Sequence, residues 1–202
     1  SWIVDQIPDI NKTFVEIGTQ DYWESNTRYL LKSKNWKGFL IEGSQEFINK
    51  IKTQKLYWQH DLKAIKSFVD LDNINSVLEK NIKHKEIGLL SIDIDGNDYW
   101  ILDKIDTLSP SIIICEFNSI FGDLFKISIP YQKNFIRNDA HYSNLFFGAS
   151  IKAMISMLKN KGYKFLGTSS TGVNAFFVKN KHLLNFENKI KNFNIYPAKV
   201  RE

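Results

Sequence analysis

The chain has 202 residues, a net charge of +5, 43% hydrophobic and 24% charged residues, the balance of one globular domain with a proper core. No apolar stretch approaches the ~20 residues needed to cross a bilayer, no signal-peptide pattern opens the chain, and the single cysteine, Cys115, excludes an internal disulfide and points to a reducing, cytosolic setting. The excess lysines are scattered, as on solvated faces, so charge alone does not favour a nucleic-acid partner.

Thr13-Phe14-Val15-Glu16-Ile17-Gly18 reads as a short buried strand ending in a glycine. Arg28 to Lys34 follows as a helix, opened by Ser25-Asn26-Thr27. Gly38-Phe39-Leu40-Ile41-Glu42-Gly43 is the second strand. This is a β-α-β unit with a carboxylate at the tip of its second strand. In α/β sheets that tip faces the ligand crevice, where an acidic side chain accepts both hydroxyls of a ribose. A nucleoside-bearing cofactor is the expectation, with Glu42 as its ribose ligand and Gly43 and Ser44 bordering the same sugar.

Gln45 to Thr53 has helical spacing of Phe47, Ile48 and Ile51. Leu56 to Asp61 is expected as the third strand, which would place Asp61 at its end, either beside the adenine amino group or as a helix cap before Lys63. Lys63 to Lys85 reads as mainly helical with a break near Asp70-Asp72. Ile87 to Asp95 is the fourth strand, Tyr99 to Leu108 a helix stopped before Pro110, and Ser111 to Glu116 the fifth. The β-branched run of the fifth strand suits a sheet covered on both faces, with Cys115 as an inert core thiol. Residues 118–150 lack periodicity and read as a substrate-covering insertion. A helix from Ile151 to Lys161 and two strands, Tyr163 to Thr168 and Val173 to Lys179, complete the order, and a short helix and mobile tail are expected from His182. Repeated β-α units place the early strands in a doubly wound parallel sheet. The expected architecture is a single α/β domain over 1–202, Rossmann-like, with a mostly parallel seven-stranded sheet and a C-terminal antiparallel hairpin. Among such folds the terminal hairpin points to the methyltransferase version.

Phe14-Val15-Glu16-Ile17-Gly18, Ile41-Glu42-Gly43, Ser91-Ile92-Asp93-Ile94-Asp95-Gly96-Asn97-Asp98 and the strand-ending Glu116 together resemble the FkbM-type S-adenosylmethionine-dependent methyltransferases. The likeness runs over about residues 13 to 179. Asp95 and Asp98 stand where that family has glutamates, and the first loop has only one glycine. The resemblance implies S-adenosylmethionine as cofactor and O-methylation of a saccharide or small metabolite.

The Gly18 loop leads to a helix start at Ser25 and Asn26, whose free N–H groups suit a methionyl carboxylate. Glu16 is expected to accept from the methionyl ammonium, because a carboxylate inside an apolar run needs a partner. The absence of Gly-Xaa-Gly-Xaa-Xaa-Gly argues against a dinucleotide. Asp93, Asp95 and Asp98 converge with Glu116 and Asn118 on one crevice, a crowding that raises carboxyl pKa values unless a cation compensates. Asp93, or in its place Asp95, is expected at the methionyl amine of the cofactor, and Asp95, Glu116 and His141 are the candidate general bases. Asp98 is either one of the facing carboxylates or a helix N-cap. Asn118, Tyr131, Arg137 and Tyr142 are the expected acceptor contacts. A divalent metal on Asp95, Glu116 and Asn118 is a less favoured alternative. Phe121, Phe125, Phe135, Phe146 and Phe147 are assigned to lid and core packing. The rival readings are a nucleic-acid methyltransferase, disfavoured because strand four lacks an Asn/Asp-Pro-Pro-Tyr/Phe element, and a non-catalytic interaction domain that kept the fold.

Overall fold

A computed structural model describes residues 2–186 and 189–190; the tail expected beyond them lies outside the described residues. In chain order the elements are α1 (Trp2–Asp5), β1 (Thr13–Ile17), α2 (Arg28–Lys34), β2 (Lys37–Glu42), α3 (Gln45–Thr53), α4 (Lys55–Gln59), β3 (Leu62–Lys66) and α5 (Ile74–Asn81). They continue with β4 (Glu86–Ile92), α6 (Asp98–Lys104), β5 (Ser109–Glu116), α7 (Arg137–Ala140), α8 (Ile151–Asn160), β6 (Tyr163–Thr168) and β7 (Asn174–Lys179). Short 3₁₀ turns at Ser119–Phe121 and Asn180–Asn185 flank the second half.

The seven strands form one sheet in the order β3-β2-β1-β4-β5-β7-β6. All contacts from β3 to β5 are parallel, and β7 runs antiparallel to both β5 and β6. The Rossmann-like methyltransferase fold expected from the sequence is therefore present. Alternation along each strand feeds two cores, one per face, as the strand pleat requires. On β5, Ile113 and Cys115 enter one cluster and Ile112 and Ile114 the other. Cys115 is fully buried, and burial pushes its thiol pKa up, in keeping with an inert core residue.

The third strand is a correction. Leu56-Tyr57-Trp58 belongs to α4, with Trp58 79% exposed, and β3 starts only at Leu62. An edge strand carries lysines and is only half covered, so Leu62-Lys63-Ala64-Ile65-Lys66 lacks the apolar run that marks a buried strand. The helix expected from Lys63 accordingly begins at Ile74. The Asp70 carboxylate accepts from the amides of Asp72 and Asn73, which sets the break at the position expected. The fifth strand also starts earlier than expected, at Ser109.

Residues 118–150 are irregular but firmly fastened. Asn118 is 1% exposed; its amide donates to the carbonyls of Leu145 and Phe147, and its oxygen accepts from the Ile120 amide. Asn97 donates to the Gln132 carbonyl, Trp100 to that of Ile129, and the Tyr131 hydroxyl accepts from the Leu71 amide. Ile129, Phe135 and Phe147 form a small core of their own, with Phe121 against it. Phe125 and Phe146, expected to pack, are instead 68% and 40% exposed.

Two glycines with positive φ separate strain from crowding. Gly18 (φ 79°) sits where a Cβ would lie 1.7 Å from the Asp93 carbonyl oxygen, whereas a Cβ on Gly162 (φ 84°) would meet nothing within 4 Å. Gly162→Ala is expected to cost about 1 kcal/mol, the strain of a left-handed non-glycine residue. Gly18→Ala adds a backbone collision and is expected to cost about 3 kcal/mol or more. Urea unfolding midpoints of the two variants check the difference.

Candidate functional site

Strands β1 to β4 all end on one side of the sheet, and their ends enclose a cavity of about 420 Å³. Gly18 contributes from the end of β1, and Glu42, Gly43 and Ser44 from β2. Ser67, Phe68 and Val69 follow β3, and Asp93, Ile94, Asp95 and Asn97 follow β4. Phe47 of α3 and Phe135 of the insertion close the wall.

Glu42 organises this space. Only 8% exposed, its carboxylate accepts from the amides of Thr19 (3.1 Å), Gln20 (2.9 Å) and Ser44 (2.8 Å). The loop bends to present those amides, with Gly18, Gln20 and Tyr22 all at positive φ. An ionised carboxylate has about four acceptor positions, so one remains for a ligand. Gly43 has no Cβ to strike the Phe68 ring, which would otherwise lie 3.0 Å away.

Glu16 does not reach the cavity. It is 3% exposed, and its two oxygens take hydrogen bonds from the Ser25 hydroxyl (2.6 Å), the Asn26 amide (3.1 Å) and the Thr27 hydroxyl. Burial raises its pKa, and these donors oppose the rise. The Tyr22 hydroxyl joins the network through Thr27, and the Asn26 side chain donates to Ser91. Glu16, Ser25 and Asn26, expected at the cofactor, thus bind one another. A buried carboxylate does need partners, and here they are internal. Thr27, which the sequence reading passed over, is central to the network.

Asp61 is also corrected. It precedes β3 instead of ending it, is exposed, and pairs with Lys37 at the far end of the sheet. Ser67 and Phe68 occupy the strand end where Asp61 was expected.

Past β4 the acidic groups crowd as foreseen, with a different division of labour. Asp98 is fully buried at the first position of α6, and its carboxylate accepts from the amides of Ile94 and Gly96. It ties up its own turn and is not the N-cap, which is Asn97. Burial pushes Asp93 up to about 7, and the neighbouring Asp98 and Asp95 add to the rise. Burial first, then Asp93, Asp98 and Asp95, push Glu116 up to about 10. Glu116 Oε2 is buried without a hydrogen-bond partner. The raised pKa favours the protonated form near neutral pH, although the Arg137 guanidinium opposes the rise, and so disfavours this side chain as a base. Ligand oxygens of Asp93, Asp98 and Glu116 lie within 4.8 Å of one another. The less favoured metal set of Asp95, Glu116 and Asn118 is not assembled, because Asn118 is spent on the insertion backbone and Asp95 pairs with Arg137.

Asp95 (φ 56°) turns toward the insertion, where Arg137 Nη1 meets it at 2.6 Å and stands 4.0 Å from Glu116. Arg137 Nε donates to the Asn144 carbonyl, and the guanidinium lies 3.6 Å over the Phe147 ring. His141 is exposed, bonded to Ser143 and stacked on Tyr142, which is 92% exposed. Neither residue lines the cavity, nor does Tyr131, whose hydroxyl is held by Leu71. Of the sequence candidates, Gly18, Glu42, Gly43, Ser44, Asp93 and Asp95 come together at the cavity, with Arg137 beside them. Gln20, Phe47 and Phe68 were missed; Phe68 was hidden by the misplaced third strand, and the other two carry no local signal, whereas Phe135, expected in lid and core packing, packs with Ile129 and Phe147 at the cavity wall.

Residues 64–165 match the family described as the methyltransferase FkbM domain. No curated relative matches the chain in sequence. The fold is similar to that of the O-methyltransferase from Bacillus cereus in complex with S-adenosylhomocysteine, at a TM-score of 0.55 and 13% identity over 88% of this chain and 77% of that one. It is also similar to the N-terminal domain of EvdMO1, solved in the presence of S-adenosylhomocysteine and D-fucose, at a TM-score of 0.53 and 11% identity over 88% and 79%. The methyltransferase domain of bacterial CtHen1-C matches at a TM-score of 0.51 and 13% identity over 88% and 95%.

Asp93 and Glu116 hold protons more tightly folded than unfolded. Their stabilising contribution is therefore complete below the unfolded carboxyl range, about pH 4, and is lost as pH rises through about 7 toward about 10. Urea midpoints are expected to fall across that interval, and Glu116→Gln, which cannot release a proton, to flatten the fall.

Proposed function

The chain belongs to the FkbM methyltransferase domain family, and on that premise we propose that the strand-end cavity binds S-adenosylmethionine and that the protein methylates a hydroxyl of a saccharide or small metabolite. The observation that carries this reading is Glu42, a carboxylate at the tip of β2 held by three backbone amides at the cavity wall. Its remaining acceptor position suits a ribose hydroxyl. Ile41, Phe47, Phe68 and Val69 give the apolar surface an adenine ring needs, and Gly18 lets the ligand approach the backbone closely.

Charge supports the same ligand. The ionisable groups lining the cavity are Glu42, Asp93 and Asp95, all acidic. Such a wall favours a cationic ligand, which would in turn lower the raised carboxyl pKa values nearby. Bound there, S-adenosylmethionine would supply an electrophilic methyl group on a sulfonium. Asp93 would hold the methionyl ammonium, and Asp95, at the cavity mouth, would take the proton of the attacking hydroxyl. Phe135 shields the wall from water. Because the methyl group is already reactive, alignment of acceptor and donor supplies much of the rate. A fold relative, the EvdMO1 domain solved with S-adenosylhomocysteine and D-fucose present, agrees with a saccharide acceptor.

Isothermal titration with S-adenosylhomocysteine is expected to show one site. Glu42→Gln is expected to weaken it about tenfold or more, since a hydrogen bond to a charged group is worth about 1.5–3 kcal/mol. Undiminished affinity in that variant would take Glu42 out of the site, and no binding by the native chain would leave a domain that only kept the fold.

A further inference from the structure

Beside the first cavity lies a second hollow of about 480 Å³, and the two share Phe68, Ile94, Asp95 and Phe135. Anything seated in the second abuts the contents of the first across the Asp95 carboxylate. Its remaining wall comes from the insertion, chiefly Arg137, Asn138 and Asn144. We propose that this hollow is the acceptor site and that it selects an uncharged, polyhydroxylated ring. The inference rests on the reading of the first cavity as the cofactor site.

Three features favour that class. Phe68 is 50% exposed and offers a ring face for the C–H side of a sugar. Asn138 and Asn144 are exposed, and neither side-chain amide has a hydrogen-bond partner among the described residues. Each presents donors and an acceptor, the mixed pattern that hydroxyl groups match. Asp95 and Arg137 neutralise one another at 2.6 Å. An anionic acceptor would face the carboxyl cluster behind Asp95, and a cationic one would face Arg137. Arg137 itself is fixed by the Asn144 carbonyl and the Phe147 ring, so it serves as a wall more readily than as a mobile clamp.

In this arrangement the acceptor hydroxyl lies against Asp95. Its oxygen forms the new C–O bond to the methyl carbon as the C–S bond breaks. The electron pair of that bond returns to sulfur, which leaves as the neutral thioether, and the hydroxyl proton passes to the Asp95 carboxylate.

The test is a titration of the full chain, saturated with S-adenosylhomocysteine, followed by the ¹⁵N-labelled side-chain amides of Asn138 and Asn144. The probes are methyl glycosides of gluco, galacto and manno configuration, with methyl glucuronoside anion and putrescine as charged controls. The expected result is that at least one neutral glycoside shifts both amides. The double variant Asn138→Ala, Asn144→Gly, in which glycine keeps the left-handed backbone of residue 144 (φ 55°), should then bind that glycoside at least tenfold more weakly with S-adenosylhomocysteine affinity unchanged. Shifts caused only by a charged probe, or none from any neutral glycoside while S-adenosylhomocysteine still binds, would overturn the acceptor site and leave the cofactor reading standing. Failure of S-adenosylhomocysteine itself to bind is read separately, in the first step, and would remove both.

Discussion

The placement of one carboxylate at the tip of β2 governs the site. Glu42 is nearly buried, and the ion pairs of the described residues do not include it; its charge is met by the consecutive amides of Thr19 and Gln20 and by the amide of Ser44. Consecutive backbone N–H groups make a concave anion-binding surface, and forming one here requires left-handed backbone at Gly18 and Gln20. The loop after β1 and the start of α3 are therefore locked to the same side chain. The cavity is pre-shaped because the acid that faces it also holds its rim.

A second buried acid stabilises the same loop from behind. Glu16 gathers Ser25, Asn26 and Thr27, and through Thr27 the hydroxyl of Tyr22. Tyr22 is fully buried at φ 66°, a costly conformation for an aromatic residue that persists where its surroundings over-determine it. Arg28 strengthens the enclosure, donating to the Tyr22 carbonyl at 2.8 Å and lying over the Trp23 ring. Residues 18–28 are thus hydrogen-bonded between two carboxylates, one turned to the interior and one to the cavity.

Beyond β4 the balance reverses, with more negative charge than internal donors. Asp98 is satisfied by backbone amides, Asp95 by Arg137, and Glu116 keeps an unpartnered buried oxygen. Burial and the mutual repulsion of these carboxylates raise the pKa values of Asp93 and Glu116, which favours a proton on Glu116 first. Unsatisfied polar groups of this kind gather where a ligand completes the structure, and the placement beside the proposed methyl-transfer region accords with that.

The order of elements, the two-faced sheet and the tip carboxylate Glu42 were written in local pattern, because strand periodicity, strand-ending glycines and hairpin spacing are properties of a few adjacent residues. So was the crowding of Asp93, Asp98 and Glu116, since parallel strands must end side by side. Which carboxylates reach solvent space was not. Glu16 and Glu42 look alike in sequence, each ending an apolar run close to a glycine, and the pleat puts both on the same face; the register sets Glu16 beside Leu40, where its partners are internal, and Glu42 one position past the last pair of β1 and β2, at the cavity. Asp61 lost its role because an edge strand, half covered and lysine-bearing, leaves too faint an apolar signature to locate. The insertion showed no periodicity at all, and its contacts join residues far apart in the chain, such as Arg137 with Asp95 and Asn118 with Phe147. Pairings of that range depend on the whole sheet being in place, so only tertiary structure chose Arg137, Asn138 and Asn144 for the second hollow and left His141 and Tyr142 in solvent.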